Sequence, residues 1–175
     1  MSTYKIDPLH SEIEFKIKHL MISTVNGRFD TFDAAMTSSK DDFSDAQIEF
    51  SCNVDSINTG VADRDTHLRS ADFFDTAKFP KLTFRSAGLT NRGMGRYDIW
   101  GDLTIRDVTK RINLAATFNG SDLDAYGQHK FGFDMVGSVK RADYGLVFQA
   151  YGGAGSGMVG EDVKLLVSVQ MIKVA

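Results

Sequence analysis

The chain has 175 residues, and 20 lysines and arginines against 23 aspartates and glutamates give it a formal net charge of −3 at pH 7. This length suits one domain with a sizeable core, and 42% apolar with 25% charged residues excludes a disordered or membrane-embedded chain. The slightly acidic balance argues against nucleic acid as a partner. Thirteen phenylalanines and 16 glycines beside two prolines favour closely packed strands.

The opening residues alternate in a way that predicts extended structure, beginning with a short segment over residues 4–7. Residues 12–18 place an apolar side chain at every second position, with charged residues between them. A period of two is typical of a strand with one solvated face. Residues 25–37 continue this pattern, but the period slips near residues 30–33, which a bulge would explain.

The same alternation recurs through the remainder of the chain and predicts about eight strands. It is clearest over residues 46–55, where Cys52 falls on the apolar face. Because this cysteine is the only one, no intramolecular disulfide can form, and a small buried apolar role is expected. The other alternating segments are residues 82–86, 97–105, 112–118, 131–139 and 163–171.

Helix and turn signals lie between these strands. Residues 62–72 are rich in charge and predict one helix, and residues 141–144 predict a second short turn. A wide polar loop is expected over residues 119–128. The glycine-rich residues 152–157 resemble a phosphate-binding loop only superficially, because a strand rather than a helix follows them. No composition break divides the chain, so residues 1–175 are predicted to form one domain.

About eight long antiparallel strands can close into a barrel or split into a sandwich, and their length of about ten residues favours the barrel. The inward faces also carry small residues, namely Ser86, Gly101, Ala116 and Gly137. These positions could leave space for a ligand or could accommodate a neighbouring phenylalanine ring. The two alternatives remain open from the sequence.

The search for catalytic chemistry finds no motif. His10, His19, His67 and His129 are scattered, without the spacing of a metal site. The densest polar segment is residues 63–74 on the predicted helix. Arg64 and His67 could receive a polar or anionic ligand head, or they could cap backbone groups and hold the helix on the barrel.

Several blocks, in order along nearly the whole chain, make it similar to the YceI-like family of lipocalin-like, polyisoprenoid-binding barrels. The most diagnostic stretch is residues 57–60 followed by residues 64–74. The other matching blocks are residues 6–11, 15–20, 25–29, 79–84, 101–105, 108–110 and 141–145 and the final strand. The resemblance implies an all-β fold, an eight-stranded antiparallel lipocalin-like barrel with one or two short helices. It further implies an apolar pore that holds a long isoprenoid chain, and it supplies no catalytic residues and no cofactor.

The leading hypothesis is therefore a binding protein that stores, carries or transports a polyisoprenoid or isoprenoid quinone and is not an enzyme. Weak candidates for contact with the head group are Arg64, His67 and, further off, His19. The expected lining residues are Ile13, Phe15, Ile17, Phe50, Phe84, Ile99, Leu103, Phe133 and Val167, for each of which a packed core position is the competing interpretation.

Two other hypotheses remain. An enzyme acting on such a lipid would need His67 or His19 as its acid or base. A closed-core interaction protein would fill the barrel with side chains and bind a partner outside, with Trp100 and Phe32 marking a patch and a homodimer as a corollary.

Localisation is the last expectation. The first residues have no cationic start followed by an apolar run, and no stretch approaches the about 18 apolar residues of a membrane span. A cytoplasmic protein is expected, or a periplasmic one if a leader has been removed.

Overall fold

The computed structural model describes residues 1–20, 22–148 and 159–174. Within these ranges, eleven strand segments form one antiparallel sheet, and an α-helix covers one end of it. The elements are β1 (Ser2–Ile6), β2 (Glu12–His19), β3 (Ser23–Phe29), β4 (Phe32–Ser38), β5 (Gln47–Asn53), β6 (Ile57–Asn58), α1 (Ala62–Arg69), β7 (Lys81–Gly93), β8 (Arg96–Ile105), β9 (Val108–Leu123), β10 (His129–Lys140) and β11 (Val159–Lys173). No helix in the described part of the chain is long and apolar enough to cross a membrane.

The sheet closes on itself because β11 pairs with both segments of the first strand. Tyr4 of β1 lies opposite Lys173, and Ile13 of β2 lies opposite Val167. A short 3₁₀ turn, Pro8–His10, separates these two segments. In the same way, β3 and β4 together form a second strand of the barrel, and β5 and β6 together form a third. With the single segments β7 to β11, the barrel has eight strands. The predicted eight-stranded antiparallel barrel with a short helix is confirmed.

The predicted slip in period near residues 30–33 is a break between two strand segments. Phe29 ends β3 and Phe32 begins β4, and the inward positions change from odd to even numbers across the break. Phe32 therefore shares a face with Ala34 and packs against the core. The suggestion that Phe32 marks an outer patch is wrong, because its side chain packs against the core.

Trp100 lies on the outer face of β8, because the buried inward positions of this strand are the odd-numbered ones. The side chain is half-buried and lies against the backbone of Gly88 on the neighbouring strand β7. A bulge in the pairing of β7 with β8 places Gly88 opposite Trp100, so the indole ring has backbone to cover.

Two predicted boundaries differ from the structure. The helix ends at Arg69 rather than at residue 72, because Ser70 is extended and its hydroxyl donates a hydrogen bond to the carbonyl of His67. The first half of the predicted loop over residues 119–128 is strand. β9 continues to Leu123, which lies opposite His129, and a tight turn at residues 124–128 joins the strands.

An aromatic plug closes one end of the barrel. The loop of residues 39–46 places Phe43, which is 4% exposed, between the strand ends. Its ring centroid lies 5.8 Å from that of Tyr4, 5.5 Å from Phe118 and 5.4 Å from Phe133. The Tyr97 hydroxyl holds the loop by donating to the carbonyl oxygen of Asp42 over 2.7 Å. The opposite end carries α1 and residues 141–148.

Candidate ligand-binding site

The barrel encloses an inner chamber of about 160 Å³ whose accessible wall is apolar. This chamber exists because alternate residues of every barrel strand point inward and their side chains do not meet at the barrel axis. Eight of the nine predicted lining residues contact it: Ile13, Phe15, Phe50, Phe84, Ile99, Leu103, Phe133 and Val167. A closed core filled by side chains is therefore not what the structure shows.

The small inward residues are used in different ways. A side chain on Gly101 would overlap the ring of Phe84, and one on Gly27 would overlap the ring of Phe15. Each glycine leaves the space that the tip of the neighbouring ring occupies. Ala116 lines the chamber directly, whereas the hydroxyl of Ser86 accepts a hydrogen bond from the backbone N–H of Ile48 over 2.8 Å.

A second and larger space, the mouth chamber, has a volume of about 500 Å³ and lies beneath α1 and residues 141–148. It adjoins the inner chamber, because the same five side chains line both: Phe15, Phe29, Leu82, Ile105 and Leu165. The remaining predicted residues line this chamber: Ile17, His19, Arg64 and His67. The two chambers thus run from the Phe43 plug towards the helix-covered end.

Arg64 is held by the segment that precedes α1. Its Nε donates to the Thr59 hydroxyl over 2.7 Å, and its Nη2 donates to the Thr59 carbonyl oxygen over 2.7 Å. The buried carboxylate of Asp65 accepts from the N–H of Thr59 over 2.9 Å and from its hydroxyl over 2.5 Å. These bonds fix the start of the helix. Arg64 therefore holds α1 on the barrel and also lines the mouth chamber.

His67 faces the mouth chamber beside a carboxylate. Its Nε2 lies 2.8 Å from Oδ2 of Asp72, and its ring packs edge-on against Phe73 and Phe148. The side chain is 44% exposed. An orienting carboxylate is one requirement of a general base, but the described residues that line this chamber include no serine or cysteine.

Arg141 and Tyr144 are the functional candidates that the sequence analysis did not identify. Both are buried and line the mouth chamber. Arg141 donates to the carbonyl oxygens of Leu146 and Phe148 over 2.7 and 3.0 Å, and to those of two residues at the start of β11. An arginine in a predicted turn carries no local signal of burial, because two of its partners follow it in an irregular segment and the other two lie on β11.

The hydroxyl of Tyr144 has no hydrogen-bond partner among the described residues, and burial raises its pKa to about 12. Cys52 is fully buried on the inner wall, as the strand pattern predicts, and burial raises the pKa of its thiol to about 12. Neither group is prepared for ionisation near neutral pH. Within the described residues no three His, Cys, Asp or Glu side chains are grouped to hold a metal ion.

Known proteins share both the sequence and this architecture. A UPF0312 protein of Staphylococcus aureus strain N315 is 37% identical over 171 residues, which cover 97% of each chain. The solved structure of the Campylobacter jejuni YceI protein is 30% identical, covers 91% of each chain and superposes with a TM-score of 0.77. A polyisoprenoid binding domain from Saccharophagus degradans is 16% identical, covers 98% of each chain and has a TM-score of 0.70, which shows a shared fold.

The family model described as the YceI-like domain matches residues 4–171. The match extends from within β1 to within β11 and includes all the lining residues described above. The chain therefore belongs to the YceI-like family.

Proposed function

We propose that this protein binds one long apolar lipid, of the polyisoprenoid or isoprenoid quinone type, and stores or carries it. The observation that carries the proposal is the pair of adjoining chambers with an apolar inner end. The tail of the ligand occupies the inner chamber, and its polar end lies in the mouth chamber near His19 and His67.

The physical basis is burial of apolar surface. Each Å² of hydrocarbon removed from water contributes roughly 25 cal/mol, so a long chain needs few polar contacts to bind. The mouth chamber alone falls within the range of about 300–1,000 Å³ that is typical of small-molecule sites. Because the inner wall offers no directional polar contact, chain length and shape determine selectivity there.

The isoprenoid class is supported by family membership and by the name of the structural neighbour from Saccharophagus degradans, a polyisoprenoid binding domain. Rings and branched side chains such as Phe15, Ile99 and Val167 make an irregular wall that suits methyl-branched chains.

The first experiment extracts lipid from purified protein and identifies it by mass spectrometry, with addition of a long-chain isoprenoid quinone to delipidated protein as a second arm. We expect one isoprenoid molecule per chain. Recovery of no long apolar molecule from several preparations, together with no uptake on addition, would contradict the proposal.

A pair of neighbouring alanines provides a matched test of the location. Ala34 lines the inner chamber, whereas Ala35 on the same strand is exposed on the outer face. Ala34→Phe should reduce quinone uptake at least about tenfold, because the ring occupies the space of the tail and overpacking costs about 1–3 kcal/mol. Ala35→Phe should bind as the wild type does, and equal uptake by both variants would place the ligand elsewhere.

An enzyme acting on the same lipid is the second candidate, and the His67–Asp72 contact at the mouth chamber favours it. His67→Ala should then abolish turnover of a bound lipid in an assay that follows the head group by mass spectrometry. Unchanged lipid on prolonged incubation with wild-type protein would leave binding as the function.

A further inference from the structure

The hairpin that joins β2 to β3 presents apolar side chains to solvent beside the mouth chamber. Ile22 is 83% exposed and Leu20 is 43% exposed. Leu20 has a φ of 53°, a left-handed conformation that hairpin tips usually give to glycine or asparagine. Lys18 and His19, which immediately precede this tip, line the mouth chamber, so the tip stands at its rim.

Other parts of the same rim are also apolar and exposed. Val147 lies between Leu146 and Phe148, which both line the mouth chamber, and it is 64% exposed. Val61 directly precedes α1 and is 47% exposed. The exposed apolar side chains therefore come from three separate segments around one chamber.

The outer face of the barrel below the hairpin tip, called the wall here, is cationic. Residues 15–29 include Lys16, Lys18 and Arg28 and contain no aspartate or glutamate. Lys16 lies directly opposite Lys164 of β11, and both are exposed. Like charges opposite each other destabilise a sheet, so neither hydrophobic burial nor pairing explains this arrangement.

The carboxylates that adjoin these cations lie on the side of Arg28, where Glu14 of β2 is directly opposite it. Asp30 forms an ion pair with Arg28 over 2.7 Å, and Glu161 lies 3.7 Å from Arg141. Among the described residues, the lysines at positions 16, 18 and 164 form no ion pair, and the amine of Lys18 donates instead to the Thr24 hydroxyl.

We propose that this rim docks on an anionic lipid bilayer, with Ile22 and Leu20 inserted at the surface and Lys16 and Lys164 facing the lipid headgroups. Apolar tips flanked by cations are what an anionic membrane surface binds. The inference rests on the proposed function, because a ligand with a long apolar tail resides in a membrane. A mouth seated on the bilayer lets the ligand enter the barrel without crossing water.

Vesicle sedimentation tests the docking. Vesicles of phosphatidylcholine with about one-third phosphatidylglycerol should bind at least about tenfold more wild-type protein than vesicles of phosphatidylcholine alone, because each lysine near an anionic surface adds attraction. High salt should weaken the binding, since it screens these charges.

Two variants remove the two contributions separately. Ile22→Asp and the double variant Lys16→Glu/Lys164→Glu should each lower vesicle binding about tenfold. Met94 and Lys173 provide the matched controls at the plugged end. Met94 is 99% exposed with a φ of 55°, and Lys173 is exposed at the end of β11, so Met94→Asp and Lys173→Glu should leave vesicle binding unchanged.

The outcomes separate the inference from the function. Uptake of a quinone added in detergent should be the same in Ile22→Asp as in the wild type. If the wild type itself takes up no quinone, the proposed function is contradicted rather than the docking. Absence of vesicle binding by the wild type, or equal losses in Met94→Asp and Ile22→Asp, would overturn the docking. A dimer that Ile22→Asp dissociates, measured by light scattering, would also overturn it, because the rim would then bind a second copy.

Discussion

At the scale of single residues, two buried side-chain atoms in the described chain lack a hydrogen-bond partner: the hydroxyl oxygen of Tyr144 and Nε of Arg106. Both lie near the mouth end, where Nη1 of Arg106 donates to the carbonyl oxygen of Gly145. A buried group without a partner costs about 1–3 kcal/mol. The stability of a variant without the Tyr144 hydroxyl tests whether this cost is present.

Tyr144→Phe should raise the free energy of unfolding by about 1 kcal/mol, because the ring stays and only the unpaired hydroxyl is removed. Urea denaturation measures the change. Tyr97→Phe is the matched control, since its hydroxyl donates to Asp42 over 2.7 Å, and it should lower stability by about 1 kcal/mol. A loss of stability in Tyr144→Phe would show that the hydroxyl has a partner in solution.

The pH dependence of the same comparison has a definite sign. Burial raises the pKa of Tyr144 to about 12, so folding favours the neutral phenol. The stability that comes from keeping this phenol neutral is fully present below the tyrosine pKa of about 10 in the unfolded chain. It is lost as the pH rises from there through the higher pKa of the folded protein. The advantage of Tyr144→Phe over the wild type should therefore grow above about pH 10.

At the scale of elements, the pairing of β2 with β3 shapes the passage between the two chambers. Gly27 lies directly opposite Phe15, and the ring of Phe15 covers the position that a side chain on Gly27 would take. Phe15 lines both chambers. A glycine on one strand thus sets the position of a ring on the other.

Gly27→Ala should lower the free energy of unfolding by about 1–3 kcal/mol, because the Phe15 ring must move. Urea denaturation of the single and double variants measures the coupling, and adding Phe15→Leu should restore part of the loss. Gly132→Ala is the matched control, since the nearest side-chain atom would be at an ordinary 3.6 Å. Equal losses at both glycines would contradict the close-approach explanation.

At the scale of the whole molecule, the two barrel ends have different roles. The Phe43 plug, held by residues 39–46, closes one end with several edge-on ring contacts. The other end carries the mouth chamber and the apolar rim. Under the proposed function, this polarity orients the lipid with its tail towards the plug.

Phe43→Ala should destabilise the fold by about 3–5 kcal/mol, because a buried aromatic ring is lost and leaves a cavity. Chemical denaturation checks this value. Phe79→Ala, at a half-buried ring with cations over its face, should cost clearly less. If the two variants lose similar stability, Phe43 does not seal the barrel.

The sequence by itself determined the strands and the faces of their side chains, because a period of two is a local property of the backbone. That pattern placed residues such as Phe84 and Phe133 inside, and all the predicted lining residues contact one of the two chambers. It also placed Cys52 inside, where it is fully buried. The boundaries of α1 and β9 were less accurate, since a serine hydroxyl and a neighbouring strand decide them.

Only the tertiary structure decided where space remains inside the barrel. Gly101 accommodates a ring while Ala116 borders the chamber, and nothing in the local sequence distinguishes these two roles. The burial of Arg141 and Phe43 likewise depends on groups from distant strands. Alternation specifies the direction in which a side chain points, but the volume it meets there depends on side chains that the barrel brings together from across the whole sequence.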